Sequence, residues 1–308
     1  MSPASATIPV FILGIQRSGT TWVANLLAAH PAIAAVKAER HHGVHESVYF
    51  SHFARCYGPW EDASARARFL KAFLASDYFS LTGLDPTGFA DTDARSYAAF
   101  FREVMDRFAA DNDRHIWLEK SPHHTLLGDE LAKAYPDAVF ICIIRPTMDL
   151  LRSRLWSFGR TPPPYPKRLA VIARACVSNA FHRRSLVGFA ARHARAFSLD
   201  YADLSADPLA ALAPLWPALK LDPPEKLESA FAANTSFGSA TQRKRALTAT
   251  DRAVARAFIA AVTLVPQSIL IAAHRLITTR RKPVFPRWVW RTAESYADHA
   301  PSTKPQAG

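Results

Sequence analysis

A short loop bounded by Gly14 and Gly19, here named the glycine loop (residues 14–21), separates a strand-forming run from a helix-forming stretch. Residues 8–15 form an apolar run typical of a buried strand, and residues 20–30 carry apolar side chains at helical spacing. Backbone N–H groups at a helix N-terminus have no intrahelical partner, and the helix dipole favours an anion there. The order strand, glycine loop, helix therefore predicts a phosphate-binding turn.

The glycine loop also carries polar side chains suited to an anion. Ser18, Thr20 and Thr21 offer hydroxyl donors, and Arg17 places a cation inside the loop. The loop of a nucleoside triphosphatase needs lysine directly after its second glycine, whereas Thr20 occupies that position here. No clear acidic strand end for a magnesium ion follows, so kinase or ATPase chemistry is disfavoured. A P-loop phosphotransferase stays the alternative interpretation.

The rest of the chain alternates strand and helix patterns. An unbroken apolar run at residues 138–144 is the clearest further strand, and residues 49–113 are mostly helical and aromatic. Further strands are predicted at residues 32–37, 115–119 and 196–200, and further helices at residues 125–135, 148–157 and 168–195. This pattern predicts a single α/β domain with helices flanking a central parallel sheet. We assign residues 1–285 to the domain and residues 286–308 to a peripheral C-terminal tail.

The charge of the chain indicates an anionic partner. Lysine and arginine number 38 against 26 aspartates and glutamates, which gives a net charge of +12. Such a surplus suits nucleic acid, an acidic membrane face or a phosphorylated small molecule, and a solvated basic surface is the alternative. No nucleic-acid recognition motif or basic–aromatic interleaving is present, so we do not expect a nucleic-acid partner.

The cysteines and the N-terminus predict a cytoplasmic location. Cys56, Cys142 and Cys176 fit no metal-binding spacing, and an odd number disfavours a disulfide framework. The first residues lack the basic and apolar regions of a signal peptide.

One apolar segment offers two interpretations. Residues 257–271 are apolar, and three basic residues follow at 280–282. The stretch is shorter than the roughly 20 residues that a membrane-spanning helix needs. We expect a buried helix pair broken near Pro266, and contact of residues 257–282 with a membrane surface is the alternative.

The segment from Gln16 to Trp22 resembles the 5′-phosphosulfate loop of sulfotransferases that use 3′-phosphoadenosine 5′-phosphosulfate (PAPS), particularly bacterial members with a P-loop-like fold. That family usually carries lysine or arginine at the position of Arg17. The resemblance implies a 5′-phosphate site made by Gln16, Arg17, Ser18, Gly19, Thr20 and Thr21. It also implies that Arg17 contacts the sulfonyl group and its bridging oxygen. Trp22 corresponds to a residue that packs near the adenine in some members, and a core tryptophan is the alternative.

A second resemblance lies at the end of the strand predicted at residues 138–144. An arginine at a strand end, followed by a serine two helical turns into the next element, can hold one phosphate from two sides. The family's 3′-phosphate motif resembles Ile144, Arg145 and Pro146, followed by Asp149 and Ser153. The resemblance implies that Arg145 and Ser153 bind the 3′ phosphate of the donor.

Two later segments resemble the family more weakly. Residues 199–208 are similar to its late strand and the turn after it, in which Tyr201 has no assigned chemistry. Arg243 and Lys244 stand where the family often closes a basic loop over the 3′ phosphate. The glycine that usually follows is missing, so a solvated charge run is the alternative for this pair.

Lys120 is the candidate cation on the acceptor side. Residues 118–122 resemble the Glu-Lys-Ser/Thr-Pro signature of carbohydrate and bacterial sulfotransferases, and in some of those the lysine faces the active site. Lys120 ends a predicted strand, and ligands of open α/β sheets bind at such carboxyl ends. A surface lysine is the alternative.

The general base is expected after the second strand, where two carboxylates and three histidines lie close together. The family uses glutamate in many members and histidine in others. Glu46 precedes an aromatic run and resembles the pattern of the glutamate-using members, so we favour it. Glu39 and a histidine (His41, His42 or His45) are the alternatives. The histidine spacing does not recur, so no metal site is expected.

The resemblance as a whole implies in-line transfer of the PAPS sulfonyl group to an acceptor hydroxyl or amine. Glu46 is then the base, and Arg17 and Lys120 are the cations that make a metal unnecessary. A small molecule, a carbohydrate and a lipid are all open as acceptors. A non-catalytic nucleotide-binding protein with the same fold is a further alternative.

Overall fold

The structure is a computed structural model that describes residues 7–156, 162–227, 247–278 and 283–292. Its strands are β1 (Ile8–Leu13), β2 (Ile33–Ala35), β3 (Lys37–Ala38), β4 (Gly43–Val44), β5 (Ile116–Lys120), β6 (Val139–Ile144) and β7 (Ala196–Asp200). Strands β2, β5, β1, β6 and β7 form one parallel sheet in that order, and β3 pairs with β4 in an antiparallel hairpin. The prediction of an α/β domain with a central parallel sheet is confirmed.

Helices pack around this sheet. They are α1 (Thr20–Leu27), α2 (Ala54–Cys56), α3 (Ala63–Leu74), α4 (Asp77–Thr82), α5 (Tyr97–Asp111), α6 (Gly128–Ala134), α7 (Thr147–Leu155), α8 (Lys167–Arg192), α9 (Tyr201–Ala206), α10 (Pro208–Leu212), α11 (Leu215–Leu219), α12 (Ala249–Thr263) and α13 (Gln267–Thr278). Short single turns at Glu39–His41, Tyr49–Phe53, Pro86–Phe89, Pro122–His124 and Arg287–Val289 complete the described chain. The expectation of a mostly helical, aromatic region between residues 49 and 113 is confirmed by α2 to α5.

Strand β1 lies at the centre of the sheet and contributes to the core on both faces. Phe11 and Leu13 pack with the aromatic side chains of α3, α4 and α5, whereas Val10 and Ile12 pack with α1 and with α9 to α11. The alternation follows from the two-residue period of a strand. Because both faces are covered, the strand is apolar throughout, which is why the sequence predicts it clearly.

The parallel arrangement brings three chain segments to one edge of the sheet. The register places Ile12 beside Lys120 and Leu13 beside Cys142. The residues that follow β1, β5 and β6 therefore emerge together at the carboxyl ends of these strands. The glycine loop, Lys120 and Arg145 meet there, as expected for ligand sites in open parallel sheets.

Some element boundaries differ from the sequence expectation. Helix α1 ends at Leu27, before its predicted end at residue 30, and a turn begins at residue 28. The strand predicted at residues 32–37 is split, because Lys37 pairs with Val44 in the β3–β4 hairpin while β2 stays in the main sheet. The other predicted strands and helices are present with their ends shifted by a few residues.

Residues 286–292 belong to the segment expected to be a peripheral tail, and two of their side chains are buried. Val289 and Trp290 are buried together with Phe285, and the rings of Phe285 and Phe53 lie 4.8 Å apart. Aromatic side chains in this segment bury their surface against the main core, a gain that composition alone does not reveal. The domain limit at residue 285 stays a prediction.

The apolar segment after residue 257 is broken near Pro266, as predicted, but its second half is not buried. Helices α12 and α13 are bent by 101° at the break, and none of residues 267–276 is buried. The expectation of a buried helix pair is therefore wrong for α13, whose main contact among the described elements is with α8. No single described helix is long and apolar enough to cross a membrane, and only the bent pair together meets that test.

Candidate active site

The glycine loop has a backbone that requires its glycines. Gly19 has a φ of 100°, and a Cβ atom there would lie 2.4 Å from the Tyr201 ring. A Cβ atom on Gly14 would lie 2.6 Å from Ser18 Oγ. Arg17 also has a positive φ, 76°, a conformation that is uncommon for residues other than glycine. The loop is thus held in a tight, specific shape in front of α1.

The N-terminus of α1 has polar groups that lack a protein partner. No side chain caps the helix at Gly19. Ser18 is fully buried, and its Oγ has no hydrogen-bond partner among the described residues. A buried polar group without a partner costs about 1–3 kcal/mol, so such an arrangement fits a site that a ligand completes. An anion is the ligand that helix N–H groups and hydroxyl donors favour.

The two sequence motifs form one site. Arg145 Nη1 donates to the carbonyl oxygen of Arg17 at 2.7 Å, and Arg17 Nε donates to Ser153 Oγ at 3.2 Å. Asn179 of α8 fixes the start of α7 by donating from Nδ2 to the carbonyl oxygen of Arg145 (3.2 Å) and to Thr147 Oγ1 (2.8 Å). The glycine loop and the end of β6 are therefore joined by direct side-chain contacts.

Positive charge is concentrated at this point. Burial lowers the pKa of the Arg17 guanidinium, and the neighbouring charge of Arg145 lowers it further. Burial also lowers the pKa of Arg145, whose Nε is buried without a partner among the described residues. The pKa of Arg154 is lowered by burial and then by Arg174 and Arg17. Like charges held together in a partly buried place repel one another, and a bound polyanion would offset that repulsion.

Aromatic rings form one wall beside the arginines. The Arg145 guanidinium carbon lies 4.0 Å from the centroid of the Tyr201 ring, a cation–π contact. Tyr201 also contacts Trp22 edge-on, with ring centroids 5.8 Å apart, and lies against Gly19. Tyr201, to which no chemistry was assigned from the sequence, therefore belongs to the cavity wall. Trp22 lies at the cavity wall, where either an adenine-packing or a structural role is compatible with its contacts.

Lys120 lies between the glycine loop and Glu46. Its side chain is only 2% exposed, and Nζ lies 3.0 Å from Glu46 Oε1 and 3.1 Å from Thr21 Oγ1. The buried ammonium group thus stands between a carboxylate and the glycine loop. Glu46 keeps partial access to the cavity, with 24% of its side chain exposed.

A buried hydrogen-bond network around Glu119 fixes the relative positions of the chain segments that carry Glu46 and Lys120. Glu119 Oε1 accepts hydrogen bonds from Ser47 Oγ (2.6 Å) and Ser121 Oγ (2.5 Å), and Oε2 lies 3.0 Å from His124 Nδ1. Burial alone would raise the pKa of Glu119, but His124 and the two serine hydroxyls bring it below its ordinary value. Ser47 follows Glu46 and Ser121 follows Lys120, so the residues next to the predicted base and the predicted lysine both donate to the Glu119 carboxylate.

The same network stabilises a strained turn after Glu46. Val48 has a φ of 45°, and a β-branched residue in this region is a genuine outlier. Its N–H donates to Ser121 Oγ at 3.1 Å. Two residues later, the N–H of Phe50 donates to His124 Nε2 at 3.1 Å. Since Nε2 accepts a hydrogen bond, the His124 proton lies on Nδ1 and points to Glu119. Strained backbone of this kind persists where surrounding contacts enforce it.

One cavity of about 670 Å³ contains both sides of the site. Of the predicted residues, Gln16, Arg17, Gly19, Thr20, Thr21, Trp22, Glu46, Lys120, Arg145 and Ser153 line it. Ser18 is buried and is not part of the lining, and Glu39 is exposed outside it. Arg243 and Lys244 lie outside the described residues. The structure therefore brings Glu46, and not Glu39, to Lys120.

A second polar cluster includes Arg40, His41 and His45, which line the cavity. Asp77, at the start of α4, is bonded to Arg40 Nη2 at 2.6 Å and lies 2.7 Å from His41 Nε2. His45 Nε2 lies 3.6 Å from the same carboxylate, and burial, followed by the charge of His41, lowers the pKa of His45 to about 3. His41, His45 and Asp77 have the geometry of three metal ligands, but Asp77 already pairs with a guanidinium. The absence of a metal stays a prediction.

Sequence reasoning missed several residues of this site. Asp77 is more than 30 positions from His41 and His45 in the sequence. It is the first residue of α4, after the N-cap Ser76, and this position gives no indication of a contact with the histidines. Pro286 and Trp288 line the cavity although they belong to the predicted tail, and the Trp288 ring lies 5.3 Å from that of His45. No local pattern assigns these residues to the site, because they reach it through long-range packing.

The chain is similar to three solved structures of sulfotransferases or sulfotransferase domains. The sulfotransferase domain from the Synechococcus PCC 7002 olefin synthase is 16% identical, with a TM-score of 0.46, and the match covers 89% of this chain and 97% of that one. Sulfotransferase STF1 from Mycobacterium tuberculosis H37Rv is 21% identical, with a TM-score of 0.43 and coverage of 82% and 77%. A sulfotransferase from Alicyclobacillus acidocaldarius is 14% identical, with a TM-score of 0.43 and coverage of 83% and 96%.

The sequence itself matches a family model. No curated protein matches significantly. The model described as the sulfotransferase family matches residues 9–225. This match includes the glycine loop, β5 with Lys120 and the β6–α7 motif with Arg145, which form the cavity described above. The chain belongs to the sulfotransferase family.

Proposed function

We propose that this protein transfers the sulfonyl group of PAPS to a hydroxyl or amine of an acceptor molecule. The observation that carries the proposal is the meeting of two anion-binding motifs and a Lys120–Glu46 pair in one cavity. A donor with a phosphate at each end of its ribose matches two separate groups of anion donors. A transferable sulfonyl group between the glycine loop and Lys120 would then face Glu46.

In this proposal the 5′ end of the donor lies in the glycine loop. The N–H groups at the start of α1 and the hydroxyls of Ser18, Thr20 and Thr21 bind the 5′ phosphate. Arg145 and Ser153 bind the 3′ phosphate, and Arg17, which contacts both motifs, binds the sulfonyl group and its bridging oxygen. Fixed donors of this kind stabilise charge that develops in the transition state.

The chemistry is an in-line substitution at sulfur. The acceptor oxygen or nitrogen forms a bond to sulfur while the bond from sulfur to the bridging phosphate oxygen breaks, and PAP (3′-phosphoadenosine 5′-phosphate) leaves. Glu46 takes the proton of the acceptor. Lys120, 3.0 Å from the Glu46 carboxylate and 3.1 Å from Thr21 Oγ1, neutralises charge on the leaving oxygen. Arginine and lysine supply the positive charge, so no metal is required at the donor.

A histidine base has one observation in its favour. His41 lines the cavity, and its Nε2 lies 2.7 Å from Asp77 Oδ2, an arrangement in which a carboxylate orients an imidazole. Glu46 is preferred because its carboxylate contacts Lys120, which reaches the glycine loop. The acceptor, as a small molecule, carbohydrate or lipid, and the cytoplasmic location remain predictions.

The experiment that tests the proposal is a transfer screen. Wild-type protein and the Lys120→Ala variant are incubated with PAPS labelled in the sulfonyl group and with mixed acceptor pools. We expect acceptor-dependent transfer by the wild type and a loss of roughly 10² or more in the variant. A parallel reaction uses γ-labelled ATP with magnesium. Phosphoryl transfer in that reaction, without sulfonyl transfer in the first, would support the P-loop phosphotransferase instead.

A further inference from the structure

Helix α13 presents an apolar surface that no described part of the chain covers. Leu264 at the α12–α13 bend is 84% exposed, and Ile269 and Leu276 on α13 are 56% and 66% exposed. Ile269 and Leu276 are seven positions apart, so they lie on the same side of the helix. Exposed apolar side chains scattered singly need no explanation, but a group of them on one element indicates a contact surface.

The bend that creates this surface is held by specific contacts. Arg184 of α8 donates to the carbonyl oxygens of Val265 (2.6 Å), Val262 (2.9 Å) and Thr263 (3.1 Å) at the end of α12. On α13, Gln267 Nε2 donates to Ser185 Oγ at 2.9 Å. The opposite side of α13 is therefore fixed to α8 while its apolar side faces outwards. The surface is a built feature of the fold.

The charge of the surrounding sequence is one-sided. From residue 252 to residue 278 the chain has no aspartate or glutamate. The basic residues in this stretch are Arg252, Arg256 and Arg275. Apolar side chains combined with arginine and lysine, without acids, are the composition of helices that lie at an anionic lipid interface.

The charge also argues against a second copy of the chain as the partner. In a two-fold contact the same surface meets itself, so the basic residues of both copies would be brought together. Such like-charge contact is unfavourable, whereas an anionic bilayer attracts each basic residue. The same argument disfavours a basic protein partner.

We propose that the α12–α13 surface, formed by Leu264, Ile269 and Leu276 with the neighbouring basic residues, docks the protein on an anionic lipid bilayer. The apolar side chains enter the boundary of the acyl chains, and the arginines contact lipid phosphates and carboxylates. The protein lies on the membrane and does not span it. This docking is independent of the reaction in the cavity.

The test is flotation of the full-length protein with vesicles of phosphatidylcholine alone and of phosphatidylcholine mixed with phosphatidylserine. We expect the wild type to float with the mixed vesicles, and to do so less at about 1 M salt, where the Debye length is about 3 Å. The double variant Ile269→Glu/Leu276→Glu should bind at least about tenfold less. Arg275→Glu should lose about fivefold or more, since each basic residue near such a surface contributes about 1 kcal/mol.

Matched controls separate docking from misfolding and from the proposed reaction. Leu209→Glu changes an apolar residue on α10 that is 37% exposed, and this variant should float like the wild type. Arg145→Ala, which weakens donor binding in the proposed function, should also float normally. Equal flotation with neutral vesicles, absence of flotation, or unchanged flotation of the double variant would overturn the proposal. So would a wild-type dimer in sedimentation that the double variant converts to monomer.

Discussion

The Arg145 side chain makes two contacts within the protein and also lines the cavity. Its Nη1 holds the carbonyl of Arg17, its guanidinium covers the Tyr201 ring, and it lines the cavity. In the proposed function it reads the 3′ phosphate. A substitution therefore removes a charged contact to the donor and also one support of the glycine loop.

Arg145→Ala should weaken PAP binding by about ten- to a hundredfold, the value of a buried charge-assisted contact of roughly 1.5–3 kcal/mol. Adenosine 5′-phosphosulfate, which lacks the 3′ phosphate, should be weakened less, because for this ligand only the loop support is lost. Calorimetric titration of both ligands measures the difference. Equal weakening would assign Arg145 to the fold alone.

Glu46→Gln tests the proposed base, because the amide keeps size and hydrogen bonding but cannot accept a proton. Turnover should fall by roughly 10² to 10⁴, while PAP affinity stays within a few fold. Glu39→Gln is the matched control, since Glu39 is exposed and outside the cavity. It should leave turnover nearly intact.

The pH–rate profile distinguishes Glu46 from His41. A glutamate base gives an acid limb that disappears in Glu46→Gln. If the acid limb survives in that variant and is lost in His41→Ala, the base is the imidazole that contacts Asp77. Loss of turnover in Glu39→Gln would contradict the placement of the base beside Lys120.

At the scale of elements, the end of β5 and the turn after Glu46 depend on a single carboxylate. Glu119→Gln places an amide N–H₂ against either two serine hydroxyls or the Nδ1–H of His124. We expect the free energy of unfolding to fall by about 1–3 kcal/mol, the cost of a disrupted buried polar group. Chemical denaturation measures it. Glu130→Gln is the control, because its pair with Arg55 is exposed and worth at most about 1 kcal/mol. If Glu119→Gln and Glu130→Gln lower the free energy of unfolding equally, the Glu119 network does not stabilise the protein more than an exposed ion pair does.

Helix α12 is fastened to α8 through Asp251. This fully buried carboxylate accepts hydrogen bonds from Thr248 N at 2.9 Å, Arg168 Nε at 2.8 Å and Tyr165 OH at 2.5 Å. Burial alone would raise the pKa of Asp251, but these partners lower it to about 2. A lowered folded-state pKa stabilises the protein above the unfolded value of about 3.9, and this contribution is lost as pH falls through about 2.

Asp251→Asn should therefore destabilise the protein near neutral pH by about 1–3 kcal/mol. The difference between wild type and variant should shrink as the pH is lowered from about 4 towards 2. Denaturant titrations at several pH values measure both effects. A difference that stays constant across this range would mean that ionisation of Asp251 does not stabilise the α8–α12 contact.

The elements that the sequence predicted well are those with strong local signals. Strands β1 and β6 are apolar throughout because both sheet faces are covered, and α1 follows a glycine loop with a helical pattern. The burial of helix α13 was predicted wrongly. An apolar helix has the same sequence pattern whether its apolar residues pack against this chain or against something outside it. The β3–β4 hairpin was missed, since two-residue strands leave almost no periodicity.

For the whole molecule, the cavity residues that lie at strand ends were predictable, and those that reach the cavity through tertiary packing were not. Arg17 and Arg145 follow strands and Lys120 ends one. Because a parallel sheet brings strand ends to one edge, local motifs were enough to predict that these residues meet. Trp288 reaches the cavity from the C-terminal segment, and Asp77, at a helix start, contacts His41 in the cavity wall. Their positions result from tertiary packing that no local pattern encodes.

Donor binding tests the central claim most directly, because it does not depend on an unknown acceptor. Calorimetry in EDTA should give saturable binding of PAP, whereas adenosine 5′-monophosphate, which lacks the 3′ phosphate, should bind at least about tenfold more weakly, the value of one charge-assisted contact. ATP with magnesium, titrated without EDTA, should bind more weakly than PAP. PAP binding that disappears in EDTA, or ATP with magnesium binding more tightly than PAP, would contradict a metal-free PAPS site.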